Sequence, residues 1–138
     1  MSRFRNILPK SKPYRETPST LSQLTIRRTK TLLERQVEQA LVREVRKHGG
    51  IAPKFTSPGT AGMPDRLVIL PEGKVCFVEL KAPGQKPRPI QTRQMDRLTQ
   101  LGCMVRTIDH PTQIHELIEE IQQQPTFKQH LKEPGQHP

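Results

Sequence analysis

The spacing of apolar residues in the first half of the chain predicts a helix over residues 30–48. Apolar side chains recur there at intervals of three and four, which places them on one helical face. They are Leu33, Val37, Ala40, Leu41 and Val45. The pair Gly49 and Gly50 then ends the predicted helix, since glycine readily adopts the conformation that follows a helix C-terminus.

Short apolar runs after this helix predict β-strands, because each is bounded by turn residues. The runs are residues 66–70, 74–81 and 103–108, and residues 51–56 form a weaker candidate. Only the turn-forming segment PEG separates the first two, so we expect them to form an antiparallel hairpin.

Two more helices complete the predicted order α-β-β-β-α-β-α. One begins at Pro89 or Ile90 and runs to about residue 101, where Gly102 ends it. The other carries Ile114, Leu117, Ile118 and Ile121 at helical spacing. Mostly apolar strands followed by helices indicate an α/β sandwich, in which a central sheet is covered on both faces.

Composition and charge divide the chain of 138 residues into a domain and two tails. With 32% hydrophobic and 4% aromatic residues, we expect one core, over residues 30–124, between a basic, flexible arm (1–29) and a tail (125–138). Residues 1–30 hold eight basic residues and one acidic, whereas residues 31–124 hold thirteen basic and eleven acidic. A basic arm on a balanced domain favours a nucleic-acid partner, although a solvated tail is the simpler alternative.

The two cysteines and the absence of a long apolar run bear on the compartment. Cys76 and Cys103 lie in apolar runs, so we expect reduced thiols that pack as small hydrophobic groups. No apolar run approaches the roughly 18 residues that a membrane helix needs. The N-terminus has no secretory core. We therefore expect a cytoplasmic protein without a membrane partner.

The hairpin places charged residues where burial would be costly. Side chains alternate along a strand, so Glu79 and Lys81 share one face. If the hairpin loop has three residues, 71–73, Asp65 lies opposite Glu79. A two-residue loop would instead place Asp65 opposite Leu80, facing away. A catalytic role therefore requires the longer loop or a bulge.

Two carboxylates this close repel each other unless a cation lies between them. Mg²⁺ favours carboxylate, water and phosphate oxygens, and Lys81 could orient or deprotonate a water or balance charge on a phosphate. Such a set is suited to hydrolysing a phosphodiester. Glu38 adds a carboxylate on the apolar side of the first helix, and Glu34, one turn earlier, is its rival.

Each of these residues alone has an ordinary structural explanation, as a turn cap or a solvated pair, but their combination is specific. Residues 62–66 (GMPDR) and 77–81 (FVELK) resemble the signature of PD-(D/E)XK nucleases. The wider pattern resembles stand-alone VRR-NUC domains over about residues 33–121. It includes EQALV at 38–42, GG at 49–50, KF at 54–55, SPG at 57–59, APG at 82–84 and PIQ at 89–91.

This resemblance implies a restriction-endonuclease-like fold, with a mixed sheet flanked by helices, and a site that depends on Mg²⁺, for which Mn²⁺ could substitute. Asp65 and Glu79 match the metal ligands, and Lys81 matches the catalytic lysine. Glu38 matches the glutamate of the first helix, which we expect to be a third metal ligand, and Gln91 matches a glutamine often found beside the site.

The resemblance also implies a structure-selective DNA endonuclease, encoded by a bacterium or phage, that acts as a homodimeric Holliday-junction resolvase on branched DNA. A flap or other repair nuclease of the same fold is an alternative. A catalytically silent nucleic-acid-binding module is another, but every motif position is filled, which argues against it.

Basic residues around the predicted site are candidates for contacts with DNA phosphates. They are Lys54, Lys86, Arg88, Arg93 and Arg97. Arg93 and Arg97 are four residues apart and form one stripe on the second helix, but an ordinary solvated helix face explains this stripe equally well.

Overall fold

A three-stranded mixed sheet with helices on both faces forms the protein, whose computed structural model describes residues 20–126. The elements are α1 (Thr20–Lys47), β1 (Arg66–Leu70), β2 (Lys74–Leu80), α2 (Pro89–Gln100), β3 (Val105–Ile108) and α3 (Ile114–Gln122). The predicted tail from residue 127 and the predicted arm up to residue 19 lie outside the described residues.

Helix α1 begins at Thr20, ten residues before its predicted start, so the last part of the predicted arm is helical. Residues 21–33 are exposed, including Leu21 at 74% and Leu24 at 57% of their maximum. A helix satisfies its own backbone hydrogen bonds and does not need a buried face to form. Apolar spacing therefore detects only the part of α1 that packs on the sheet.

The hairpin of β1 and β2 has the three-residue loop that the catalytic interpretation requires. The antiparallel register runs from Leu70 opposite Lys74 to Arg66 opposite Val78. The loop, Pro71–Gly73, is a 3-10 turn in which Glu72 has a φ of 69° and Gly73 a φ of 74°. β3 then pairs in parallel with the other edge of β2.

Residues 51–55, predicted as a weak strand, pair with the outer edge of β1 only through isolated bridges. Ile51 and Ile69 exchange two backbone hydrogen bonds of 2.9 Å. Opposite Leu67 the ladder is one-sided: Leu67 donates to the Pro53 carbonyl at 3.1 Å, and proline has no N–H to return. This missing donor interrupts the strand.

The main core lies between the sheet and the pair α1 and α3. From the sheet it takes Val68, Leu70, Cys76, Val78 and Leu80, all of which point to the same face. From the helices it takes Val37, Leu41, Val45, Ile114, Leu117, Ile118 and Ile121. Because side chains alternate, Arg66 points to the α1 side, whereas its neighbour in the chain, Asp65, points to the side that α2 covers.

None of the helices in residues 20–126 is long and apolar enough to cross a membrane.

Candidate active site

Glu79, the penultimate residue of β2, has a fully buried side chain. Its Oε1 lies 2.6 Å from Lys81 Nζ and accepts a hydrogen bond of 2.5 Å from Gln91 Nε2. Its Oε2 has no hydrogen-bond partner within residues 20–126. Leaving such a buried acceptor unsatisfied costs about 1–3 kcal/mol, which makes Oε2 a position where a ligand would relieve a deficit.

Gln91 holds this carboxylate in place from the first turn of α2. Its Oε1 accepts the backbone N–H of Arg88 at 2.9 Å, so the amide nitrogen is left to face Glu79. The side chain is buried, and both of its ends are engaged. Gln91 therefore fixes one oxygen of Glu79.

Asp65 immediately precedes β1. Continuing the register by one position beyond Arg66 and Val78 puts Asp65 opposite Glu79, as predicted. The Asp65 carbonyl accepts the N–H of Phe55 at 2.7 Å, which anchors its backbone, and its side chain is exposed. One exposed and one buried carboxylate thus face each other at the end of the hairpin.

Glu38 on α1 forms an ion pair with Arg66, which points to the α1 side of the sheet. The Arg66 guanidinium donates to Glu38 Oε1 and, through Nη1, to the Ala52 carbonyl at 2.7 Å. Lys54 Nζ lies 3.8 Å from the same Glu38 oxygen. Two cations thus lie beside Glu38, and its role as a metal ligand stays a prediction.

Glu34, the rival candidate on α1, lies close to the charges of the site. Partial burial raises the pKa of Glu34, and the charges of Asp65 and Glu38 raise it further, whereas Lys81 opposes the change. Glu34, Glu38 and Asp65 line one cleft of about 230 Å³. The sequence held the signal for Glu34, since it lies one helical turn before Glu38, but the prediction chose Glu38 as the metal ligand.

Comparison with known proteins gives the family. No model of a known family matches the sequence. A solved structure described as a VRR_NUC domain is 36% identical, covers 62% of this chain and 94% of its own, and superposes with a TM-score of 0.59. The chain belongs to the VRR-NUC family. A protein named "Putative nuclease p44", from Acyrthosiphon pisum secondary endosymbiont phage 1, is 59% identical over 76 residues, which are 55% of this chain and 82% of that protein.

The VRR-NUC likeness confirms the predicted restriction-endonuclease-like fold, with its mixed sheet and flanking helices. It also covers nearly all of the solved domain.

The donor set of this VRR-NUC site suits an oxygen-seeking divalent cation. Burial raises the pKa of Glu79, and the charge of Asp65 adds to this, whereas Lys81 and a hydrogen bond from the Asp65 backbone oppose it. A cation beside Oε2 would offset both effects. Within residues 20–126, no three His, Cys, Asp or Glu side chains gather into a metal-binding group, so the predicted trio with Glu38 is not assembled. Mg²⁺ needs only one or two carboxylates, and Asp65 and Glu79 supply two.

Gly62 joins the loop before Asp65 to the start of α2. Its φ is 86°, and a Cβ there would lie 2.7 Å from the carbonyl oxygen of Ile90. Only glycine allows this approach, because any side chain would push the loop from the helix. Asp65 and Gln91 are therefore held in one rigid unit. The sequence contained Gly62 within its motif but gave no indication of this contact.

The predicted DNA-binding residues lie on several sides of the VRR-NUC domain. Lys54 lines the carboxylate cleft beside Asp65. Lys86 and Arg88 are exposed in the segment that leads into α2, and Arg93 and Arg97 are exposed on α2 itself. Their contact with DNA stays a prediction.

Proposed function

We propose that this VRR-NUC protein is a Mg²⁺-dependent endonuclease that hydrolyses phosphodiester bonds in branched DNA, with the four-way junction as its preferred substrate. In this proposal Mn²⁺ can substitute for Mg²⁺. The observation that carries it is the buried, unpartnered Glu79 Oε2 beside Asp65, with Lys81 and Gln91 bonded to the other oxygen. Family membership and the similarity to a protein named as a nuclease support the same chemistry.

Asp65 and Glu79 would hold the cation, and Glu34 lines the same cleft as Asp65. When bound, the cation supplies Lewis acidity for the scissile phosphoryl group. The exposed Asp65 leaves the site open to a phosphate from solvent. The buried Glu79 cannot move, since two donors fix its Oε1.

Lys81 supplies a second positive charge within this site. Its side chain is only 17% exposed, and its Nζ lies 2.6 Å from Glu79 Oε1. From there the ammonium group can orient an attacking water and stabilise the negative charge that develops on the phosphate. A neutral residue at position 81 would lose both effects and would also leave Glu79 buried without its counter-charge.

The preference for a four-way junction rests on symmetry. A homodimer with a two-fold axis would present two equal sites to a substrate with the same symmetry, so that cuts occur in pairs. A flap nuclease needs no such pairing. The same hairpin chemistry would serve a flap or another repair intermediate, and this is the principal alternative.

The decisive experiment is cleavage of a labelled four-way DNA junction with Mg²⁺ or Mn²⁺, beside a flap and a linear duplex of the same sequence. Asp65→Asn is the matched control, because it keeps the size of the side chain and removes its charge. Symmetric paired cuts that disappear in Asp65→Asn support the resolvase. Cleavage of the flap or duplex instead would retain the nuclease and reject the junction preference. Binding without any cleavage would favour the silent module.

A further inference from the structure

A groove of about 810 Å³ runs along α1 beside the candidate active site. Its α1 wall is formed by Gln39, Val42, Arg43, Arg46 and Lys47. We call this surface the α1 basic groove. None of its basic α1 residues was among those that the sequence predicted to contact DNA.

Two of its cations lack a carboxylate partner. Lys47 Nζ lies 3.3 Å from Glu44 Oε2 and is thereby balanced. Arg43 and Arg46, both exposed, have no carboxylate oxygen within 4.0 Å in the described part of the chain. An exposed guanidinium without an internal partner is well suited to a phosphate, which it can bind through two parallel hydrogen bonds.

The α1 basic groove is continuous with the carboxylate cleft, because Glu38 and Arg66 line both. Arg46 is eight residues beyond Glu38 on α1, which corresponds to about 12 Å along the helix axis. Phosphates of one DNA strand are spaced about 3.4 Å apart along the duplex axis, so this length corresponds to roughly three to four nucleotides. A strand that passes Glu38, which lines the cleft as well as the groove, can therefore reach Arg46.

We propose that the α1 basic groove binds the sugar-phosphate backbone of DNA on one side of the cleavage site, with Arg43 and Arg46 as its phosphate contacts. This inference rests on the proposed function, because the polymer it binds is the substrate of the nuclease. The contacts position the strand without reading its sequence. The groove lies on the α1 side of the sheet, whereas the Arg93 and Arg97 stripe lies on α2.

The test compares the full chain with the double variant Arg43→Ala/Arg46→Ala. Binding of a fluorescent DNA duplex is followed by anisotropy in EDTA, at several salt concentrations. Each lost phosphate contact lowers the slope of log affinity against log salt by about 0.9, so the double variant loses about 1.8 and binds at least about tenfold more weakly near 0.1 M salt.

Two controls separate a local contact from a general loss of charge. Arg43→Lys/Arg46→Lys keeps both cations and should restore most of the slope. Arg106→Ala removes an exposed cation from a separate surface, where its Nε lies 2.7 Å from Glu120, and should leave the slope unchanged. All variants change exposed side chains, so circular dichroism should show an unaltered fold.

An unchanged slope in Arg43→Ala/Arg46→Ala, with wild-type protein that cuts DNA, would overturn the groove and leave the proposed function intact. An equal drop in Arg106→Ala would also overturn it, since the effect would then follow net charge. A wild-type protein that neither binds nor cuts DNA would reject the proposed function, and the groove with it.

Discussion

The hydrogen bond from Gln91 to Glu79 can be tested by replacing Gln91 with glutamate. The new carboxylate has nearly the same shape and still accepts the N–H of Arg88, but it cannot donate to Glu79 unless it is protonated. The atom that replaces Nε2 would lie about 2.5 Å from a buried carboxylate oxygen. The folded variant must therefore either keep two adjacent negative charges or take up a proton.

The magnitudes decide which of these happens. Two like charges about 4 Å apart repel by about 4 kcal/mol at an effective dielectric of 20, and the lost hydrogen bond to a charged group costs a further 1.5–3 kcal/mol or so. Protonating one carboxyl near pH 7 costs about 1.4 kcal/mol for each pH unit above its usual pKa of ~4.3, or about 4 kcal/mol, and it restores the donor. Protonation is therefore the cheaper outcome.

It follows that Gln91→Glu is less stable than the wild type by about 4 kcal/mol near pH 7, and that this deficit shrinks by about 1.4 kcal/mol for each pH unit towards pH 4.5. The sign follows from the shared proton. The pKa of the pair is raised in the folded state, so the folded variant holds a proton that the unfolded chain has released. Its stability is fully present below the unfolded pKa and is lost as the pH rises.

The assay is urea denaturation in EDTA between about pH 4.5 and pH 8. Gln91→Met is the matched control, because it removes both hydrogen bonds without adding a titratable group; its deficit relative to the wild type, about 2–4 kcal/mol, should change less with pH than that of Gln91→Glu. If Gln91→Glu follows the wild type at every pH, Gln91 does not donate to Glu79 and the geometry argued for the site is wrong.

Three further predictions follow from other contacts. Glu38→Gln should lower the free energy of unfolding by about 1–3 kcal/mol, because the buried Arg66 loses its charged partner. Glu34→Gln should leave the free energy of unfolding equal or higher at pH 7, since the pKa of Glu34 is raised in the fold, and it should slow cleavage. An equal loss of stability in the two variants would contradict this. Gly62→Ala should lower the free energy of unfolding in urea by about 1–3 kcal/mol, because Gly62 has a positive φ and contacts α2. An unchanged free energy of unfolding would show that the loop does not pack there. Cys76, whose pKa burial raises to about 12, should resist iodoacetamide until the protein unfolds, and labelling of the folded chain as measured by mass spectrometry would refute its burial.

The hairpin, α2 and α3 could be predicted because the information for them is local. The register of β1 and β2 follows from one turn, PEG, and from alternation along two short strands. That register alone determines the relative positions of Asp65 and Glu79. α2 agrees with its predicted bounds to within one residue, and the four apolar residues predicted to share a face of the last helix are the buried residues of α3.

What the sequence did not predict depends on how distant segments meet. The choice between Glu34 and Glu38 required knowing that Arg66 points towards α1, since this ion pair joins residues 28 positions apart. The exposed first half of α1 has no burial pattern to reveal it. Residues 51–56 were predicted to form a strand because their composition suits one. The composition does not show that Pro53, which has no N–H, falls where the ladder with β1 needs a donor.

The bridged segment also closes an edge that would otherwise invite other chains. A free strand edge offers a row of unpaired N–H and C=O groups to any extended peptide, and this is a common route to aggregation. Residues 51–55 cover that row along β1, and their own outward carbonyl at Ala52 is taken by the Arg66 guanidinium. Arg66, which pairs with Glu38, thus also protects this edge against pairing with other chains. Its loss should therefore increase the fraction of protein that precipitates during expression.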